Sequence, residues 1–185
     1  PVGHFYLVSS KKPPFVLTST RLWYLEDEKK FESFVSVTES TKFQPGEGLP
    51  GEVLASGKPQ WIMDLHNAPN FPRSRKATDL NLKSGFAFPI TVRNEVSGIM
   101  EFFSTETSQP DARVLEVMVN IGAQVGQAYQ RAQLEEKLNI RNRAVEQSLS
   151  PVMITDARGV IEYVNPAFSQ HTGYTFEEAL GKRPS

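Results

Sequence analysis

The sequence contains no cysteine, and its 185 residues include only three histidines. Without cysteine the chain has no disulfide, no thiolate metal ligand, no cysteine nucleophile and no thioether-linked chromophore. The histidines, His4, His66 and His171, lie far apart in the sequence, and neither a His-x-x-x-His pair nor a nucleophile-elbow serine is present. We therefore expect no catalytic residues and no metal site.

The chain also lacks an excess of charge and a long apolar run. Its formal net charge is -1, with 22% charged and 39% hydrophobic residues, so it has no bulk attraction to nucleic acid or to an anionic membrane. The longest apolar stretches, such as residues 85–92, are far shorter than the roughly 20 residues that cross a bilayer. The N-terminal residues lack the basic start of a signal peptide. We expect a cytoplasmic location, no nucleic-acid partner and no direct membrane insertion.

The pattern of apolar residues predicts an α+β fold built on an antiparallel sheet. Strand-like runs at residues 3–9 and 15–25 are separated by a turn at Lys11 to Pro14. A helix is predicted over residues 29–40, because four residues recur at i, i+3, i+4 and i+7: Phe31, Phe34, Val35 and Thr38. The elements predicted next are a helix over 49–56, a strand over 60–65, a loop over 66–76, a helical turn at 77–81 and a hairpin of strands 85–92 and 96–104.

A long helical pattern runs from Asp111 to the stop at Ser150-Pro151. Its first half carries a broad apolar stripe, which we expect to pack against the sheet: Val114, Leu115, Met118, Ile121, Val125 and Tyr129. Its second half keeps only a narrow seam, formed by Leu134, Leu138, Val145 and Leu149. Isolated helices of about 15 residues are marginal in water. The seam therefore predicts a parallel homodimer through this helix, the alternative being a helix that folds back on its own N-terminal domain.

The residues after Pro151 form a separate pattern of elements. Two strand-like runs flank a turn at Ala157 to Gly159, and Asn165-Pro166 is a typical helix start. Thr175 and Glu178 have capping-box spacing and begin a last short helix. Chains below about 40 residues rarely bury an independent core. We expect this part to be the incomplete beginning of a second domain.

Three glycines, Gly46, Gly48 and Gly51, match the G-x-G-x-x-G pattern of dinucleotide-binding loops. Such a loop follows a buried strand and opens a helix long enough to cross the sheet. Here the preceding residues are polar and broken by proline, the following helix is short, and Glu47 puts a carboxylate where pyrophosphate would bind. Only the acidic residue about twenty positions later, Asp64, fits the pattern. We interpret the glycines as a tight turn with helix caps.

Several motifs in order resemble the bacterial GAF domain family. They are PGEGLPGEVLASGKPQWI at residues 45–62, NFPR at 70–73, SGFAFPI at 84–90, EVSGIMEFFS at 95–104 and IGAQVGQ at 121–127. The segment ITDARGVIEYVNPAFSQHTGYTFEEALG, residues 154–181, resembles the start of a PAS domain. The resemblance implies a GAF-like sensory domain over 1–132 without its usual first helix, a signalling linker helix over 133–150 and an incomplete PAS-like segment over 151–185.

Both families are sensory modules, so the resemblance implies a non-catalytic sensory and relay segment of a multidomain bacterial signalling protein. A sensor histidine kinase is the leading interpretation. The alternatives are a regulatory segment of a diguanylate cyclase and a purely structural dimerisation module. The cofactor is unknown: the missing cysteine argues against a covalent bilin, and the signature of cyclic-nucleotide GAF domains is not recognisable.

Candidate ligand-binding residues follow from the apolar and aromatic lining of small-molecule pockets. They are Trp61, Asp64, Phe71, Arg73, Phe86 and Phe88. Core packing is the simpler interpretation for most of the aromatic residues. Four basic residues could attract an anion, although a solvated surface is the simpler interpretation: Arg73, Arg75, Lys76 and Lys83. His66, beside Asp64, is interpreted as a solvated loop residue and not as a metal or haem ligand.

Overall fold

The computed structural model describes residues 1–9 and 13–184, which form two units. The first unit is Pro1–Gln130 and the second is Arg131–Ser185. Part of the predicted turn at Lys11 to Pro14 lies outside the described residues, because Lys11 and Lys12 are not among them.

The first unit is a five-stranded antiparallel sheet with helices, which confirms the predicted α+β fold. The strand order is β2-β1-β5-β4-β3. Its elements are β1 Val2–Val8, β2 Leu17–Leu25, α1 Glu28–Ser40, α2 Gly48–Ser56, β3 Gln60–Ile62, α3 Ser74–Asp79, β4 Ser84–Val92, β5 Glu95–Ser104 and the start of α4, Ala112–Glu146. The hairpin between β4 and β5 turns at Arg93 and Asn94, both with positive φ, as two-residue hairpin turns require.

The two faces of the sheet carry different layers. Because side chains alternate along a strand, Ala87 and Phe103 lie on the face that holds the main hydrophobic core. Phe86 and Phe102 lie on the opposite face, where their rings stack 5.2 Å apart. The core face is the one that contains the buried polar groups described below.

Helix α1 forms where its sequence pattern predicts, and it covers the core face. Asp27 caps its first turn by accepting a hydrogen bond from the Lys30 N–H at 3.1 Å. Phe31, Phe34 and Thr38 are buried on one side of the helix. Thr38 is thereby a hydroxyl inside the core, which needs a polar partner.

The short helix α3 begins at Ser74, three positions before the helical turn that the sequence predicts at Ala77. The prediction of a loop through Lys76 is therefore wrong at its end. The Ala77 N–H donates to the Arg73 carbonyl, and the Ala77 side chain is buried. Burial of one small apolar residue thus stabilises a helical turn that local propensity alone does not indicate.

Helix α4 contacts the sheet at two glycines. Among its residues, all of which the structure describes, Gly122 and Gly126 are the buried ones. A Cβ atom on Gly122 would lie 2.1 Å from the Pro89 carbonyl oxygen of β4. Ile121, expected on the packed stripe, is 39% exposed. The other five residues of the predicted stripe are half-buried.

The second unit contains the end of α4 and the elements β6 Met153–Thr155, β7 Ile161–Val164, α5 Pro166–Thr172 and α6 Phe176–Ala179. The predicted helix start at Asn165-Pro166 and the capping box of Thr175 and Glu178 are both confirmed. Helix α4 ends at Glu146, so Leu149 lies beyond it and is 91% exposed. Leu149 is therefore not part of a helical seam.

Candidate functional site: a buried arginine in an aromatic cage

The loop before α3 is held in place by Asn70. Its Nδ2 donates to the Gly46 carbonyl at 2.9 Å and to Glu52 Oε1 at 2.8 Å, while its Oδ1 accepts from the Gly48 N–H at 3.0 Å. These three bonds fix the loop against the start of α2. The residues that follow, Phe71 and Arg73, consequently enter the core instead of solvent.

Arg73 forms a two-point ion pair with Glu101 of β5 inside the core. Its Nη1 and Nη2 atoms donate to the two carboxylate oxygens of Glu101, each at 2.7 Å. Nη1 also donates to Thr38 Oγ1 at 3.0 Å and to Tyr6 Oη at 3.2 Å, and the Tyr6 hydroxyl donates to Glu101 at 2.7 Å. Arg73 is 2% exposed and Glu101 is fully buried. Fork-to-fork pairing of this kind is the strongest geometry for a buried charge pair.

Four phenylalanine rings surround the guanidinium group, and we call them the aromatic cage. The Arg73 Cζ atom lies 5.0 to 5.3 Å from the ring centroids of Phe34, Phe43, Phe71 and Phe103. A cation within about 6 Å of a ring centroid is attracted by the negative face of the ring. The cage thus replaces part of the hydration that burial removes.

The charge state of this network follows from its contacts. Burial lowers the pKa of Arg73, but the Glu101 carboxylate and Tyr6 raise it by more, and the net shift is upward. Burial also raises the pKa of Tyr6 well above its usual value, so the phenol remains a neutral donor. The site therefore contains one fixed cation paired with one carboxylate acceptor.

Two buried nitrogens have no hydrogen-bond partner among the described residues: Arg73 Nε and His4 Nε2. The His4 ring stacks on Trp23 at 3.8 Å and meets the Tyr6 ring edge-on at 4.5 Å. Its Nδ1 lies 2.9 Å from the Leu22 carbonyl, which only accepts, so Nδ1 carries the proton. Burial lowers the pKa of His4, which leaves Nε2 without a proton at neutral pH. The core thus retains one unpaired donor and one unpaired acceptor.

The structure does not bring the six predicted ligand-binding residues together. Phe71 and Arg73 lie in the core, whereas Trp61, Phe86 and Phe88 belong to the opposite face of the sheet, where Trp61 stacks on Phe86 at 5.0 Å. The ligand-binding role of these residues stays a prediction, but they do not form one pocket lining.

Asp64 and the basic residues are placed as follows. The exposed Asp64 carboxylate accepts from Asn67 Nδ2 and the His66 N–H, and these bonds lower its pKa. The interpretation of Arg73 as a solvated surface residue is wrong, because its guanidinium is enclosed by the core. Arg75 is exposed, as expected for a solvated face.

Sequence reasoning missed Tyr6, Thr38 and Glu101 as partners of Arg73. One signal was available for Glu101. It alternates with Ile99 and Phe103 in β5, so the strand period places a carboxylate on the buried face. An acidic residue in such a position requires a cation nearby.

The glycine loop before α2 uses its backbone groups internally, as the turn-and-cap interpretation requires. The Gly46 N–H donates to the Gly51 carbonyl at 2.7 Å, and the Gly48 N–H donates to Asn70. Glu47 Oε2 accepts from the Gln44 N–H at 3.1 Å. The Gly46 and Gly48 N–H groups therefore do not face a phosphate.

We expect the Gly51→Val change to destabilise the fold by about 1–3 kcal/mol, because overpacked sites cost about this much. A Cβ at Gly51 would lie 2.3 Å from the Gln44 carbonyl oxygen. Urea unfolding measures the effect, with Ala55→Val at an exposed position of α2 as the control. Tight binding of NAD or ATP by the wild type that disappears in Gly51→Val would contradict this view of the loop.

Neither a metal cluster nor a membrane span is found in the described ranges 1–9 and 13–184. No three His, Asp or Glu side chains in these ranges are grouped so that they could hold a metal ion. Within the same residues, no helix combines the length and the apolar character needed to cross a membrane.

A family model of the GAF domain matches residues 4–130, which covers the sheet, the aromatic cage and the first half of α4. The chain belongs to the GAF domain family. A family model of the PAS domain matches residues 142–184, in the second unit. The GAF domain of this chain is therefore followed by a PAS region, as the sequence motifs predict.

Curated relatives of the chain include plant proteins. Transcription factor GLABRA 3 of Arabidopsis thaliana is 32% identical over 93 residues, which are 49% of this chain and 14% of that protein. Transcription factor EGL1 of the same plant is 26% identical over 134 residues, 71% of this chain and 22% of that protein. The chain thus spans less than a quarter of the length of these relatives. They give no support to the bacterial context that the sequence motifs suggest.

Solved structures with the same fold include an enzyme and an isolated GAF domain. The free methionine-R-sulfoxide reductase of Neisseria meningitidis, in complex with its substrate, aligns with a TM-score of 0.55 at 15% identity, covering 72% of this chain and 70% of that one. The nlh2 GAF domain of A. aeolicus in an inactive state aligns with a TM-score of 0.51 at 21% identity, covering 71% and 74%. At these identities the likeness shows the fold alone.

Proposed function

We propose that the chain is a non-catalytic sensory and signal-relay segment of a multidomain bacterial signalling protein, in the first place a sensor histidine kinase. The observation that carries the proposal is α4, one continuous helix of 35 residues that begins in the GAF domain and ends in the PAS region. A helix that belongs to two sensory modules in series is a direct mechanical connection between them. A regulatory segment of a diguanylate cyclase would use the same connection.

Specific contacts hold this helix in both units. In the GAF domain, Gly122 and Gly126 lie against the backbone of β4. In the second unit, Asn165 Nδ2 donates to the Val145 carbonyl at 3.1 Å, and the Tyr163 hydroxyl donates to Glu146 at 2.6 Å. The hydrogen bond to Glu146 raises the pKa of Tyr163 to about 12. A shift of α4 relative to β4 would therefore change contacts at its far end.

The middle of α4 supports a homodimer. Leu134 and Leu138 are exposed apolar residues four positions apart, and Val145 is half-buried. Exposed leucines on one helical face gain free energy when a second helix covers them. Leu149, which belongs to the predicted seam, lies beyond the end of α4 and is not included in this proposal. We propose that two copies pair in parallel through Leu134 and Leu138.

We expect Leu138→Glu to convert the dimer into a monomer, because it places two carboxylates in an apolar contact. Sedimentation over a range of concentrations measures the mass. Ile140→Glu is the matched control. Ile140 is also exposed, but it follows Leu138 by two residues and therefore lies on the opposite side of the helix. Leu138→Glu with the wild-type mass at every concentration would contradict the proposed contact.

The filled interior favours a second candidate, a structural dimerisation module without a ligand. The Arg73 guanidinium fills the space between α1 and β5, where it bonds to Thr38 and Glu101. Thermal unfolding with metabolites, nucleotides and haem separates the candidates. A ligand that binds the folded state raises the unfolding temperature in a saturable way, whereas the structural module responds to none.

A further inference from the structure

We propose that His4 makes the GAF domain sensitive to acid, because a proton added to its buried imidazole would disrupt the packing of β1, β2 and α1. This sensitivity is a property of the folded domain and does not depend on the proposed relay function. It adds a chemical stimulus, the proton, that acts without a ligand pocket.

The imidazole ring lies where three elements meet. His4 of β1 is opposite Trp23 of β2, and the two rings stack with their centroids 3.8 Å apart. The Trp23 indole donates to Glu39 of α1 at 3.0 Å, and the neutral Tyr6 phenol meets the imidazole edge-on at 4.5 Å. Because His4 is 2% exposed, water cannot hydrate a charge on this ring.

The hydrogen bonds of the ring suit only its neutral form. Nδ1 of His4 donates its proton to the Leu22 carbonyl at 2.9 Å. Nε2 is buried and has no hydrogen-bond partner among residues 1–9 and 13–184. A proton on Nε2 would therefore form a buried N–H donor without an acceptor, which is more unfavourable for a charged group than for a neutral one.

The carboxylates near His4 already accept from other donors. Glu101 lies opposite His4 on β5, and its two oxygens accept from the Arg73 guanidinium. Glu39 Oε1 accepts from the Trp23 indole. Arg73 is a cation in the same core, so it repels a second positive charge. Protonation of His4 would therefore add a charge that none of these hydrogen bonds pairs.

The net effect of these surroundings is a lowered pKa of His4. Burial is the largest cause, and the Arg73 charge acts in the same direction. Glu101, the Leu22 carbonyl and Glu39 raise the pKa, but by less. In the unfolded chain the imidazole is exposed, and its pKa is about 6.5. The unfolded state therefore binds a proton that the folded state does not. Stability from this group is complete above about pH 6.5 and is lost as the pH falls from there towards the pKa of the folded domain.

The test is urea unfolding of the full chain at several pH values above and below about pH 6.5. Tryptophan fluorescence reports on the GAF domain, because both tryptophans, Trp23 and Trp61, lie in it. Below about pH 6.5, the unfolding equilibrium constant of the wild type should rise more steeply than that of His4→Gln, by up to about tenfold per pH unit, the factor for one bound proton. The control His66→Gln removes an exposed histidine and should keep the wild-type pH dependence.

An equal pH dependence of the wild type and His4→Gln overturns the inference. If His4→Gln does not fold, NMR of the histidine rings in the wild type decides. We expect the His4 ring of the folded protein to stay neutral, with its proton on Nδ1, at about pH 6, where an unperturbed histidine is mostly protonated. A His4 ring that is mostly protonated in the folded protein at that pH also overturns the inference.

Discussion

Replacing Arg73 by alanine is expected to destabilise the GAF domain by about 3–5 kcal/mol, the cost of leaving one member of a buried ion pair without its partner. Glu101 would remain a fully buried carboxylate with only the Tyr6 hydroxyl as a donor. Thr38 would also lose the donor to its hydroxyl oxygen. Removal of the guanidinium would leave a void between the four cage rings. Urea unfolding followed by tryptophan fluorescence measures the loss.

Two control variants separate the ion pair from side-chain volume and from surface charge. The double variant Arg73→Met/Glu101→Leu removes both charges and keeps apolar volume. Its loss of unfolding free energy should therefore be smaller than the sum of the losses in Arg73→Met and Glu101→Leu. Arg75→Ala removes an exposed neighbour and should change the free energy of unfolding by less than about 0.5 kcal/mol. An Arg73→Ala protein as stable as the Arg75→Ala protein would show that the pair contributes nothing to the fold.

Gly126→Ala is expected to destabilise the GAF domain by about 1–3 kcal/mol, a typical cost of overpacking. In a solvated helix the same change stabilises by about 0.5–1 kcal/mol. A destabilised variant would therefore indicate a clash with β4, and a stabilised one would indicate that the helix surface is free at this position. A Cβ at Gly126 would lie 2.0 Å from the Thr91 carbonyl oxygen, and a backbone atom has no rotamer by which to move away. Helix α4 must therefore separate from β4.

Urea unfolding and limited proteolysis of α4 check this result together. Ala128→Val, at an exposed position two residues further along the same helix, is the control for added volume without a clash. Protease cleavage within α4 should rise in Gly126→Ala and stay unchanged in the control. A stabilised Gly126→Ala protein would mean that the helix does not depend on close approach to β4.

The predictions from sequence succeeded where the determining contacts are local. Asn165 caps α5 through a bond to the Phe168 N–H, and Thr175 and Glu178 form a reciprocal pair at the next helix start. Each motif lies within one helical turn, so neighbouring residues contain all the information. The end of α4 was predicted too late, because Asn165 binds the Val145 carbonyl across 20 positions of the chain.

The candidate site was predicted less well, because its contacts join residues that lie far apart in the chain. The NFPR motif indicates that Arg73 belongs to a family pattern, yet its basic neighbours favour a solvated face. Its burial depends on Glu101, 28 positions later, and on Tyr6, 67 positions earlier. Without that carboxylate and that hydroxyl, an interior arginine would be strongly unfavourable.

The sequence alone determined the α+β class and the long helix, because periodicity and helix caps are properties of short segments. The order of its motifs gave the resemblance to GAF and PAS domains. The tertiary structure decided which face of the sheet each aromatic residue occupies and that α4 approaches β4 closely at two glycines. It also decided that the one arginine among the candidates is enclosed. Burial of a charge depends on partners from distant strands, and a linear pattern contains no distances between them.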